Sequence, residues 1–154
     1  VMKKSLIAIA LAAGVTGLPL LSGAHQFSKA EDAIKYRQSA LFIMGQHTSL
    51  IGAMVNDRIP FDAEQAKASA DIIGLVCTLP WHGFVPGSDK GAPTKARPEV
   101  WSNPDKFDAA KERLLTVLPK LATAAGTGDK GQLRQAFGET GAACKNCHDD
   151  FRAR

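Results

Sequence analysis

Residues 133–152 read LRQAFGETGAACKNCHDDFR. Taken in steps of three and four, Leu133, Phe137, Gly141, Cys144, His148 and Phe151 form one seam of a helix. Asp129, three residues before Gln132, supplies its start signal. Cys144 and His148 point inward on this seam. Cys147 lies beside His148 and three residues after Cys144, so both thiols and the imidazole share a side.

Two thiols and an imidazole so close together can hold zinc, run thiol exchange or fasten a haem. A structural zinc needs four ligands, usually from two separated pairs. Here Cys77, His82 and His47 are only lone candidates for a second pair. A redox thiol pair normally opens a helix after a strand, where the helix dipole lowers a thiol pKa. This pair sits deep in a helix with no strand before it. Cys-x-x-Cys-His as a c-type haem site accounts for all three residues. Cys144 and Cys147 supply two thioether links, and His148 supplies the proximal nitrogen on iron.

The rest of the chain reads as helices around that one. Ser28-Lys29-Ala30-Glu31 predicts a capping box. Ile34, Arg37, Leu41, Met44, Thr48, Ile51 and Val55 then mark one inward seam, with Arg37 and Thr48 as its polar members. Asn56 to Pro60 closes this first helix. Asp62-Ala63-Glu64-Gln65 starts a second, ending before Pro80. Four prolines and three glycines between residues 80 and 103 predict a long irregular loop carrying Trp81 and Trp101. Asn103-Pro104 starts a third helix that runs to about Gly126, and Pro119 predicts a kink or break in it. No segment has period-two alternation. The expected fold is all-α: an antiparallel up-and-down four-helix bundle with one long loop between helices 2 and 3.

The first residues read as an export signal. Lys3 and Lys4 precede the apolar run LIAIALAAGVTGLPLL, and Ser22-Gly23-Ala24 offers a cleavage site. The expected division is a cleaved signal at 1–24 and a bundle domain at 25–154. Without Lys3 and Lys4, the basic surplus of 19 Lys+Arg over 15 Asp+Glu shrinks to two. No run of like charge and few aromatics leave no sign of a nucleic-acid partner. The mature chain is expected in the periplasm, without stable membrane association. Cysteines exported to an oxidising compartment need not pair when both carry a cofactor.

With the motif at the C-terminal end of a bundle, the chain resembles the cytochromes c′. The segments QFSKAEDAIKYRQSAL, LPWHGFVPGS, ARPEVWS and LRQAFGETGAACKNCHDDFR look like the family's own, in the family's order. The resemblance implies one haem c, attached through two thioethers, with a five-coordinate high-spin iron. It implies that Leu41 covers the open iron position, and that Arg37 and Gln38 lie near the haem, Arg37 pairing with a propionate. It implies that Glu99 belongs to a haem-contacting loop, that Arg152 flanks the proximal imidazole, and that the chain dimerises through its first helix. Low-spin relatives use a first-helix methionine as sixth ligand, and Met44 is the candidate here.

An open iron behind an apolar cover favours the uncharged diatomics NO and CO. Leu41 offers no hydrogen bond to polarised dioxygen. Electron transfer to an unidentified periplasmic partner is the other expected use. No distal acid-base residue marks the seam, so no enzyme is expected. His47 reads as a surface histidine, His82 as an ordinary loop residue and Cys77 as a buried free thiol.

Overall fold

The computed structural model describes residues 27–154; the expected export signal lies outside them. Five α-helices follow in order: α1 (Ala30–Val55), α2 (Ala63–Val76), the four-residue α3 (Glu99–Ser102), α4 (Pro104–Gly126) and α5 (Lys130–Phe151). A 3₁₀ turn, Pro80–Gly83, stands between α2 and α3. The four long helices form a four-helix bundle. Packing runs around a square, α1 on α2, α2 on α4, α4 on α5 and α5 back on α1. Short connections force α1 and α2, and likewise α4 and α5, to run antiparallel. Among the described residues no helix is long and apolar enough to cross a membrane.

The helix starts differ in how they are capped. Asp62 accepts from Gln65 N at 2.9 Å and Asp129 from Gln132 N at 2.8 Å, as their spacing predicts. The expected box at Ser28 does not form. Helix α1 begins at Ala30 behind an extended Lys29, which makes no side-chain cap. Glu31 and Asp32 in the first turn still complement the helix dipole. Asn103 also makes no side-chain cap, but Pro104 takes the first helical position.

Two expectations about prolines need correction. Pro119 does not break α4, which is continuous from Pro104 to Gly126. Its ring is exposed, so the carbonyl it deprives of a partner can turn to water. The 80–103 segment is also not wholly irregular. The turn at Pro80 and the short α3 behind Pro98 both use proline where a helix tolerates it, at the start.

Burial divides into two clusters. The larger joins Met44, Ile51, Met54 and Val55 to residues of α2, α4 and α5 such as Ile73, Leu118, Leu121 and Leu133. The smaller lies under the loop and is aromatic: Phe107 meets Phe84 at 5.0 Å and Phe151 at 5.2 Å, both edge-on. Edge-to-face pairs at such distances suit the ring quadrupole. His47, expected at the surface, is instead half-buried with Nδ1 3.3 Å from Ser69 Oγ on α2.

Candidate functional site

The expected seam of α5 holds at its ends, where Leu133 and Phe151 are buried, but between them the fully buried side chains are offset by one residue. Leu133, Ala136, Thr140 and Ala143 pack into the core, and Thr140 satisfies its hydroxyl on Ala136 O at 2.9 Å. Cys144 and Cys147 are only half-buried and His148 is exposed. The reason is what they face. All three line a cavity of about 580 Å³ between α1, the loop, α4 and the end of α5. That volume is in the range of roughly 300–1,000 Å³ usual for ligand and cofactor sites.

The cavity gathers most of the residues marked from the sequence. Arg37, Gln38, Leu41, Met44 and Arg152 line it together with the thiols and His148. Glu99 is not on this wall. Its Oε1 accepts from Arg97 Nη2 at 2.8 Å, and its own backbone amide and Arg97 hold its carboxyl below the usual value.

The electrostatics suit thiols awaiting a covalent fate. Cys77, Cys144 and Cys147 are all free. Burial pushes the Cys144 thiol up, and burial followed by the neighbouring Cys144 and Asp150 pushes Cys147 to about 11. Such thiols stay protonated at neutral pH, where the thiolate that drives disulfide exchange is scarce. Desolvation first, then Arg152, holds the His148 imidazole below its ordinary value, which favours the neutral ring a metal ligand needs.

The donor set fits a haem. Two thiols and an imidazole share one helix face. Leu41, Phe84, Phe107, Leu114 and Phe151 make the slot apolar. Lys95 and Arg152 are exposed where they line it, and neither joins an ion pair among the described residues. A group with an apolar ring system and two carboxylates finds a matching partner for each part.

A four-helix bundle that turns Cys-x-x-Cys-His from its last helix into an apolar cavity defines a class, the bundle proteins of c-type haem. The family profile described as cytochrome c′ matches residues 32–152, and the chain belongs to the cytochrome c′ family. Its cofactor is haem c, covalently attached. The cytochrome c′ of Alcaligenes xylosoxydans xylosoxydans is 43% identical over 129 residues, covering 84% of this chain and 99% of the relative. The crystal structure of cytochrome c′ from Rubrivivax gelatinosus is similar at 43% identity and a TM-score of 0.80, covering 83% of this chain and 100% of that one. A leucine-to-alanine variant of cytochrome c prime from Alcaligenes xylosoxidans, solved as its nitric oxide complex, matches with a TM-score of 0.77 and 41% identity, over 84% of this chain and 99% of that one.

Several wall residues were not marked from the sequence. Phe107 and Leu114 continue with Leu118, Leu121 and Ala125 as a three-four seam of α4, a signal that periodicity alone carries. Thr94, Lys95 and Ala96 come from the loop, where no period exists to be read. Ala96 pairs with Arg152 in an isolated antiparallel bridge, through Arg97 N to Phe151 O at 2.9 Å and Ala153 N to Lys95 O at 2.8 Å. That bridge joins the loop to the residues just after the motif.

Proposed function

We propose that this chain is an exported, periplasmic haem protein that binds NO and CO at an open iron position, with electron transfer as a secondary use. Cys144 and Cys147 would hold the haem through thioethers, and His148 would ligate its iron. Haem iron supplies both a site for diatomic gases and a change of oxidation state.

The observation that carries the reading is the make-up of the cavity wall. Among the described residues that line it there is no carboxylate and no imidazole other than His148. Leu41, Phe42, Met44 and Gly45 line it from α1. The nearby Arg37 and Gln38 are engaged with the loop at 2.6–3.0 Å. The apolar side chains around Leu41 disfavour water and charged ligands there and leave an uncharged diatomic little to compete with. The wall also lacks the acid-base group that peroxide cleavage requires, which supports reading the chain as a binding protein and not an enzyme.

A six-coordinate carrier would use Met44. That side chain is 7% exposed and packed within the large core cluster. Leu41 is 37% exposed and lines the cavity. Met44 reaches the same cavity, but its deeper burial in the core cluster supports Met44 as packing and Leu41 as the cover. Exposed Phe42 and Ile43 on α1, with Leu75 on α2, support a homodimer through the first helix.

The test is one set of spectra. The ferric protein is expected to be high-spin, and its ferrous form to take up NO and CO. Leu41→Ala is expected to speed that uptake. A low-spin spectrum that disappears in Met44→Ala would sink the open-site reading.

A further inference from the structure

Helices α1 and α5 touch closely at one end of the bundle and part around the cavity at the other. We propose that Asp57, Lys130 and Arg134, at the closed end, are positioning residues. They lock α1 to α5 in one register, and that register keeps Leu41 in its place as the cover of the site. The proposal rests on the reading of Leu41 given above.

The turn after α1 is held by a residue that must justify its backbone. Asp57 has φ 59°, and among the described residues no other non-glycine has a positive φ. Aspartate enters this left-handed region more readily than most residues, but glycine does so at no steric cost. What Asp57 adds to the turn is therefore its carboxylate. Residues of α5 use both of its oxygens. Oδ1 accepts from Lys130 Nζ, and Oδ2 accepts from Arg134 Nη2 at 2.9 Å. Arg134 Nε also donates to Val55 O at 2.5 Å. That carbonyl is one of those a helix end leaves without an intrahelical partner. Each ion pair by itself is exposed and weak in water. Here one carboxylate holds two cations, and one of them also caps α1, so the three side chains fasten the helices together.

The clasp fixes which residue of α1 stands against which residue of α5. Val55 meets Arg134. One turn earlier, Gly52 lies so near Phe137 that a Cβ would stand 2.6 Å from the ring. The helices run antiparallel, so each step back along α1 matches a step forward along α5. The same pairing sets Gly45 against Cys144 and Leu41 against His148. All four of these residues line the cavity. Leu41 lies fourteen residues before Val55, about 21 Å along the helix. A slip or tilt at the clasped end is thus carried along α1 to Leu41. A cover displaced in either direction uncovers what lies beneath it.

The experiment measures CO association with the haem-loaded ferrous protein at low and high ionic strength. It compares wild type with Asp57→Asn, Arg134→Gln, Leu41→Ala and Lys120→Gln. CO carries no charge, so salt alters its rate only through the protein. Asparagine tolerates the left-handed turn without the charge. Lys120→Gln removes a different exposed pair between helices, Lys120 with Glu139. The wild-type rate is expected to rise about threefold or more between roughly 0.01 M and 1 M salt, as the clasp is screened. Asp57→Asn and Arg134→Gln are expected to show the fast rate already at low salt and to lose the salt response. Lys120→Gln is expected to behave as wild type. Wild-type rates in both clasp variants overturn the proposal, and so does a wild-type rate that ignores salt. A Leu41→Ala rate equal to wild type refutes the cover reading instead. Amide hydrogen exchange from Ile51 to Arg58 then decides the clasp: faster exchange in both clasp variants upholds it, and wild-type exchange overturns it. If Arg134→Gln does not accumulate, Lys130→Gln takes its place.

Discussion

Gly83→Ala tests how closely the loop must approach α1. A Cβ at this position would stand 2.6 Å from Ala33 O and 2.7 Å from Arg37 Cβ. Ordinary contact begins at 3.4 Å, so the shortfall against Ala33 O is 0.8 Å. Neither obstacle is the end of a flexible side chain. The Pro80–Gly83 turn must therefore retreat, and Arg37 Nη1 to Gly83 O, now 2.7 Å, lengthens past bonding range. Overpacking of this kind costs about 1–3 kcal/mol. Weakening a buried bond to a charged donor adds up to about 1.5–3 kcal/mol. Reduced freedom of the unfolded chain returns about 0.4–1 kcal/mol. With partial relaxation the net cost is about 2–3 kcal/mol, a fall in Tm of roughly 6–15 °C for a chain of this size.

Guanidinium denaturation of the haem-loaded protein reads the change, provided the m-value holds. The covalent cofactor stays with the chain, so no ligand concentration enters. Gly138→Ala is the control. It lies in α5 with nothing within 4 Å of its would-be Cβ, and is expected to gain about 0.5–1 kcal/mol. If Gly83→Ala unfolds within about 0.5 kcal/mol of wild type while the control behaves, the close approach described here is wrong.

Other perturbations probe the bundle and its thiols. Gly52→Ala sets a Cβ 2.6 Å from the Phe137 ring where α1 crosses α5; it is expected to cost about 1–3 kcal/mol, and Phe137→Leu is expected to relieve most of that in a double-mutant cycle. Leu121→Ala, at a position 1% exposed in the main core, is expected to cost about 2–5 kcal/mol by chemical denaturation. Asp62→Ala removes the acceptor for Gln65 N and is expected to cost about 1 kcal/mol. Burial raises the Cys77 thiol, so its thiolate is scarcer than a free thiol's at any pH below its midpoint. Its alkylation in the haem-loaded protein is expected to be slower than that of free cysteine at pH 8 and to rise at a higher pH; a rate matching free cysteine refutes this.

Some features of this protein were legible in the linear chain because their causes are local. Asp62 and Asp129 each reach an amide three residues on, a distance set by helix geometry alone. The spacing of Cys144, Cys147 and His148 puts them on one side of a helix, whatever that helix packs against. The 80–103 loop and the four long helices followed from prolines, glycines and period. Ser28 shows the limit of such reading. One residue of displacement in the helix start leaves its hydroxyl without a cap to make.

What Arg37 does could not be read in this way. Its period marked it as inward, but its partners Gly83, Ser88 and Thr94 lie 46–57 residues away in a segment with no regular repeat. Glu99 stands off the cavity because Arg97 and the α3 turn hold it. The α5 stripe is offset because Cys144, Cys147 and His148 face a cavity and not a neighbouring side chain. Local geometry thus determined which residues could meet a haem. Packing between distant segments decided which side chains line the cavity beside them, because loop residues such as Thr94 and Ala96 are brought there by contacts that no local period encodes.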